Sequence, residues 1–409
     1  MDARKLAVTA VAGLGALSAC AGQGPTAQPS ASEGAAGSQQ PSTQASGQAS
    51  GAATSATPAA TPSPGTSCRS VAEGMDVSAK VGQLFMVGTT SANIDDLEPS
   101  LLKHQVGSVI LLGNTARPHD QTRRLTQQIQ ESSPSQVPVL VASDQEGGQV
   151  QRLFGSGFDT IPSAKKQSQM GPAELTKAWA GWGKQMKSAG VAYNLAPVAD
   201  VVTPQMESRN AAIGQLERNL GNDSKTVAIN ATAVVKGLSQ AKVGSSLKHY
   251  PGLGTATVNT DFGVAKDPTT TLDDADSFLE PMEAGATSVM ISSTIYEKID
   301  PKNHAVFSSK VITEGLREKH GWAKVVISDD LGAAAAVKDV PASERGVRFI
   351  EAGGDIVIDA DPASLDDMVG GVLERAEQDP AFAAQLDNHV TRVLQMKSEL
   401  GEFDCMLEN

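Results

Sequence analysis

Eight short apolar runs rich in strand-forming residues recur along the chain, and stretches of helical character separate them. The runs occupy positions 82–88, 106–113, 137–144, 191–200, 244–249, 288–296, 324–329 and 355–359. Helical patterning covers 118–130, where Pro118 suits a first turn, and then 171–188, 223–239, 272–284, 309–319 and 342–352. A longer helical stretch follows Pro362. Strands that alternate with helices predict a parallel sheet, because each parallel return needs a crossover. Eight such units over about 335 residues fit the α/β class as a single (β/α)8 TIM-type barrel. The competing architecture is an open doubly wound sheet, but no Gly-x-Gly-x-x-Gly follows the first run to favour it.

A barrel of this kind carries its chemistry at the C-terminal ends of its strands. Those ends read Asp144-Gln145-Glu146 after the third run, Asp200 after the fourth and Lys248-His249 after the fifth. The seventh ends in Ser328-Asp329-Asp330 and the eighth in Asp359. Ionisable residues therefore gather at one rim. Paired carboxylates there allow one group to attack a sugar's anomeric carbon while another protonates the leaving oxygen. Asp329 emerges directly from a buried strand; its plainer role is an N-cap, which Asp330 fits better. Asp144 equally suits support of the tight turn at Gly147-Gly148. Lys248 and His249 fit a clamp on sugar hydroxyls, a Schiff base on the lysine, or plain packing.

The N-terminus reads as an export signal: a basic start at 1–5, an apolar run at 6–16, then Leu17-Ser18-Ala19-Cys20. That arrangement resembles the lipobox of bacterial lipoproteins, which makes Cys20 the expected lipidation site; the alternative is a plain signal with an incidental cysteine. Segment 20–67 is an Ala/Ser/Gly/Pro-rich linker with almost no charge, expected to be a disordered tether. The barrel domain is then expected over 68–409, extracytoplasmic and held to the cell membrane by a lipid. Cys68 and Cys405 remain, one at each end of the folded region. An oxidising compartment permits a disulfide between them, against two free buried thiols.

Charge narrows the function. The formal net charge is −13 and the 33 basic residues are scattered, which argues against nucleic acid as a partner. Six histidines without His-x-His or His-x-x-x-His spacing make a zinc site unexpected, and no Walker-type loop is present.

Three segments in order and at the right spacing carry a family resemblance. Asp144-Gln145-Glu146-Gly147-Gly148-Gln149-Val150-Gln151-Arg152, Lys248-His249-Tyr250-Pro251-Gly252-Leu253-Gly254 and Val326-Ile327-Ser328-Asp329-Asp330-Leu331 resemble motifs of glycoside hydrolase family 3. The branch is that of bacterial β-N-acetylglucosaminidases. Glu351-Ala352-Gly353-Gly354-Asp355 is similar to its Ala-Gly-x-Asp segment. The resemblance implies a nucleophilic role for Asp329 and sugar contacts for Asp144, Arg152, Lys248, His249 and Arg218. It implies no cofactor and a carbohydrate substrate, such as a muropeptide or other wall-derived amino sugar.

One segment departs from the pattern. The branch has Asp-Ser-His on the loop after the Lys-His motif, with that His as acid/base, whereas this chain has Asn259-Thr260-Asp261. Asp261 is therefore the expected acid/base, with Glu146 as a fallback proton donor. A retaining exo-acting β-glycosidase follows, with its two carboxyls expected roughly 5–5.5 Å apart when the loop closes. Two other classes stay open: a sugar- or wall-binding lipoprotein without catalysis, and a barrel enzyme using Lys248 as a Schiff base.

Overall fold

The structure, a computed structural model, describes residues 65–407. The expected export signal, the Cys20 lipidation site and the linker up to residue 64 lie outside the described residues. The last linker positions are described, and Ser67 already serves the fold. Its side chain caps helix α1 (Cys68–Gly74) by accepting from Ser70 N, and its backbone bridges to Met406.

Eight parallel strands close into a barrel: β1 (Phe85–Thr89), β2 (Ser108–Leu111), β3 (Leu140–Ser143), β4 (Tyr193–Asn194), β5 (Gly244–Tyr250), β6 (Ser288–Ile291), β7 (Val325–Asp330) and β8 (Ile356–Asp359). Each pairs with the next, and β1 closes on β8 with Phe85 opposite Val357. Helices α2 (Val77–Gln83), α3 (Glu98–His104), α4 (His119–Ser132), α5 (Pro172–Ser188), α6 (Ser224–Gln240) and α7 (Asp276–Glu283) follow the chain around it. A π-helical segment, Lys310–Lys319, leads into β7; α8 (Ala342–Glu351), α9 (Leu365–Gln378) and α10 (Pro380–Glu399) complete the ring. The fold is the (β/α)8 barrel that the alternation predicts.

Four boundaries move for physical reasons. The first run begins inside α2, because Asp76 accepts from Ala79 N and caps a helix that lasts through Gln83. The fourth strand keeps only two residues in its ladder; Pro197 has no N–H to give a neighbour, and the chain beyond rejoins β5 through one bridge, Val198 with Lys248. The sixth run divides: β6 ends at Ile291, and Ile295–Tyr296 pairs instead with Lys266–Asp267. The expected C-terminal helix is two helices, broken where Asp379 caps the Pro380 start of α10.

Polar anchors fasten the face of the barrel away from the strand ends. Lys397 on α10 is fully buried and donates to Gln83 Oε1 at 2.7 Å, Gly107 O at 2.8 Å and Pro138 O at 2.9 Å, groups that precede β1, β2 and β3. Asp355, just before β8, accepts from Arg317, Arg392, His389 and Val326 N. Burial opposes its charge, yet Arg392 and Arg317 hold it well below the usual carboxylate range. A disulfide joins Cys68 to Cys405 and so ties α1 to the chain's other end. These contacts leave the opposite rim free to carry loops.

Candidate active site

At the C-terminal rim the loops surround a cavity of about 620 Å³. Asp144, Arg152, Arg218, Lys248, His249, Asp261 and Asp329 all line it. In sequence these residues are scattered from Asp144 to Asp329. The strand ends bring them to one place.

The β3 end makes a tight hairpin, Gln145–Gly147 against Val150–Gln151. Gly147 sits at φ +97°, and a Cβ there would lie 2.3 Å from Pro162 O. Only glycine fits. The reversal leaves Asp144 and Arg152 lining the cavity, with Glu146 buried against Lys248 and Arg218. The turn is held by these glycines, and Asp144 serves another group: its Oδ1 takes Lys248 Nζ at 2.7 Å. Arg152 pairs through Nη1 with Asn114 Oδ1, while its buried Nε has no partner among the described residues.

Lys248 and His249 end β5 with both side chains buried. Lys248 Nζ lies 2.7 Å from Asp144 and 2.6 Å from Glu146. Burial works against its charge, but the two carboxylates raise its pKa above the ordinary value. An amine held towards its protonated form by two carboxylates is a poor Schiff-base nucleophile, which counts against the aldolase-like alternative. His249 donates through Nδ1 to Asp200 Oδ2 at 2.8 Å, and Asp200 also accepts from His249 N and Leu253 N. This leaves Nε2 to meet a ligand. Asp200 was visible as a strand-end carboxylate, but its role as the support of His249 needed the fold.

Glu146 behaves differently from the fallback proton donor expected of it. Arg218 grips it through Nε at 2.8 Å and Nη2 at 2.7 Å, and Lys248 adds a third contact. Although burial favours the neutral acid, these cations hold Glu146 well below the usual carboxylate range. That hold favours the ionised form and disfavours Glu146 as the acid. Arg218 likewise spends much of its hydrogen-bonding capacity inside the protein, with Nη1 on Ala212 O at 2.9 Å. It borders the cavity chiefly as the counterion that fixes Glu146.

At the β7 end the two aspartates divide their duties. Asp330 accepts from Gly332 N, Ala333 N and Ala360 N, organising the loop that follows. Asp329 is released from capping and faces the cavity. Its Oδ1 takes Asp330 N at 3.0 Å, and Thr260 Oγ1 approaches its Oδ2 at 3.5 Å. Burial pushes Asp329 up to about 6; His249 pulls it down and the charge of Asp261 pushes it further up. Asp359, at the end of β8, is outside the cavity lining, hydrogen-bonded to Ser364 and Asp361 N and raised to about 7 chiefly by burial.

Asp261 rides on the loop that leaves β5. Asn259 folds a tight turn there, its side chain accepting from Asp261 N and its carbonyl from Phe262 N. Ala336 N and Ala335 N then donate to Thr260 O and Asp261 O, which fastens the turn to the segment beyond Asp329. The loop's base is locked by Asp267, which sequence reading missed. Its carboxylate accepts from Thr255 Oγ1, from Thr269 N and Oγ1, and from Thr270 N and Oγ1. No local pattern advertises that role, since Thr255 comes from the other stem.

Among the described residues no group of three or more His, Cys, Asp and Glu is placed to hold a metal ion. Residues 76–396 match the glycosyl hydrolase family 3 N-terminal domain. The chain is 30% identical over 309 residues to a beta-hexosaminidase of Xanthomonas oryzae pv. oryzae, a match covering 71% of this chain and 88% of that one. Among solved structures, a beta-N-acetylhexosaminidase from Beutenbergia cavernae matches with a TM-score of 0.77 and 38% identity, covering 79% of this chain and 99% of the other. A family 3 glycosyl hydrolase of Mycobacterium smegmatis matches at a TM-score of 0.71 and 24% identity, covering 80% and 98%; that likeness speaks for the fold alone.

Proposed function

Because the chain belongs to glycoside hydrolase family 3, we propose that it is an exo-acting, retaining β-N-acetylhexosaminidase whose nucleophile is Asp329. The observation that carries this reading is the division of labour at β7. Asp330 takes the loop's backbone N–H groups, and Asp329 is left facing the cavity beside Asp261. Strand-end carboxylates freed from structural duty are where barrel enzymes keep reactive groups.

In the first step Asp329 attacks the anomeric carbon as the bond to the leaving oxygen breaks, and Asp261 gives that oxygen a proton. The product is a glycosyl ester on Asp329. In the second step the Asp261 carboxylate takes a proton from water, the water oxygen bonds to the anomeric carbon, and Asp329 leaves as carboxylate. Asp144, Arg152, Lys248 and His249 would hold the sugar hydroxyls.

Wall-derived amino sugars are the substrate class that this reading favours, with the barrel domain of 68–409 carried on the 20–67 linker from a lipidated Cys20. The Cys68–Cys405 bridge supports an oxidising, extracytoplasmic setting, where disulfides persist. The test is hydrolysis of an aryl β-N-acetylglucosaminide by the full chain. Wild type should turn it over, and Asp329→Asn should lose at least about 10³-fold in kcat. Tight sugar binding without turnover would favour a binding protein instead.

A further inference from the structure

Three of the large apolar side chains that stand exposed in this structure fall within seven positions of one another: Val258 at 40%, Phe262 at 83% and Val264 at 44%. All three belong to the loop that carries Asp261. Phe262 is the next residue after it, and its side chain lines the same cavity as Asp261 and Asp329. Scattered exposed hydrophobes need no explanation, but a cluster on a loop that borders a cavity with charged groups is a different matter.

The turn that presents the ring is fixed. Phe262 N and Gly263 N both donate to Asn259 O, at 3.0 and 3.2 Å, and the preceding residues are hydrogen-bonded to Ala335 and Ala336. A Cβ on Gly263 would meet Val258 Cγ1 at 3.3 Å, so Val258 flanks the same turn. The cavity wall carries the charged groups Asp144, Arg152, Lys248 and His249 among apolar strand residues such as Ile110, Met290 and Ile358, and Phe262 adds an aromatic edge beside Asp261. Stereochemistry then decides what meets that edge. In a retaining glycosidase the leaving group departs on the side opposite the nucleophile, towards the proton donor. Whatever is attached through the leaving oxygen must therefore pass Asp261 and reach Phe262.

We infer that Phe262, with Val258 beside it, forms the subsite for the first unit of the leaving group, and that this unit is a ring with an apolar face, a second pyranose. Such a sugar presents axial C–H bonds on one side, and an aromatic ring is the side chain best suited to cover them. The inference rests on Asp261 being the proton donor in the proposed mechanism. It narrows the substrate from any β-N-acetylhexosaminide to one whose aglycone begins with a sugar ring.

The test compares N,N′-diacetylchitobiose, which offers a second ring, with the β-fluoride of N-acetylglucosamine, which offers none, using the full chain. Phe262→Ala should lower the ratio of kcat/KM for the disaccharide over the fluoride by roughly five- to tenfold, mainly through KM, and Phe262→Tyr should restore it. An unchanged ratio, whether both rates fall or neither does, overturns the subsite. In parallel, calorimetric titration in an Asp329→Asn background compares disaccharide with the methyl monosaccharide. A chain that turns over nothing, yet shows the Phe262-dependent preference for the disaccharide here, defeats the hydrolase reading and keeps the subsite. Equal weakening for both ligands defeats the subsite.

Discussion

Arg218 holds Glu146 with a two-point grip, Nε to Oε2 at 2.8 Å and Nη2 to Oε1 at 2.7 Å, across 72 positions of sequence. The pair is buried, and Lys248 reaches the same carboxylate. Removing one partner of such a pair strands the other. Arg218→Met should cost about 3–5 kcal/mol of stability, measured by denaturant unfolding. Glu146→Gln should slow substrates with good and poor leaving groups to the same extent, because the ionised form of Glu146 is favoured. A selective loss on poor leaving groups would reinstate it as the acid.

Asp329 gives the pH dependence. Its carboxyl is raised from 3.8 to about 6, first by burial, with Asp261 adding to the rise against the pull of His249. The nucleophile must be ionised, so kcat/KM should fall as pH drops below about 6. Stability moves the other way. Between pH 3.8 and about 6 the unfolded chain has released a proton that the folded chain retains, so folding weakens as pH rises through that window. Asp329→Asn removes the effect and should be more stable than wild type by roughly 1–3 kcal/mol at pH 7.5, with the gap closing below pH 4. Thermal unfolding at both pH values checks it.

How much of this was legible beforehand depends on the distance over which each feature is written. Every barrel strand appears as a local apolar run because parallel strands are buried on both faces; Val325, Val326 and Ile327 are the plainest case. Helices α1, α2 and α3, seven residues each, are too short for a 3.6-residue period to declare itself. At the site, Asp329 and Lys248-His249 could be read because strand ends are local. The grip of Arg218 on Glu146, the support of His249 by Asp200 and the clamp at Asp267 could not. Each joins residues from different strands or opposite loop stems, and only closure of the barrel brings them together.

Asp261 is testable through leaving groups. A proton donor matters most where the departing oxygen is a poor leaving group, so Asp261→Ala should cost about 10²–10³-fold on a disaccharide and far less on an activated aryl glycoside. Equal losses on the two would remove Asp261 from the mechanism.

Asp267 is a positioning residue, since it touches the loop's stems and lies outside the cavity lining. Burial opposes its ionisation, but the donors on Thr255, Thr270 and Thr269 hold it below the ordinary value. Asp267→Ala frees both stems. Limited proteolysis should then cut within 255–270 on the order of tenfold faster, and kcat should fall more than KM rises. Unchanged cleavage would show that the clamp is not what holds the loop.

The most direct measurement is mass spectrometry of the full chain after reaction with a fluorosugar that forms its glycosyl ester quickly and loses it slowly. The expected result is one sugar adduct on the peptide containing Ser328-Asp329-Asp330, located on Asp329 and absent from Asp329→Asn. An adduct on any other residue, or steady turnover with no adduct at all, would contradict Asp329 as the nucleophile.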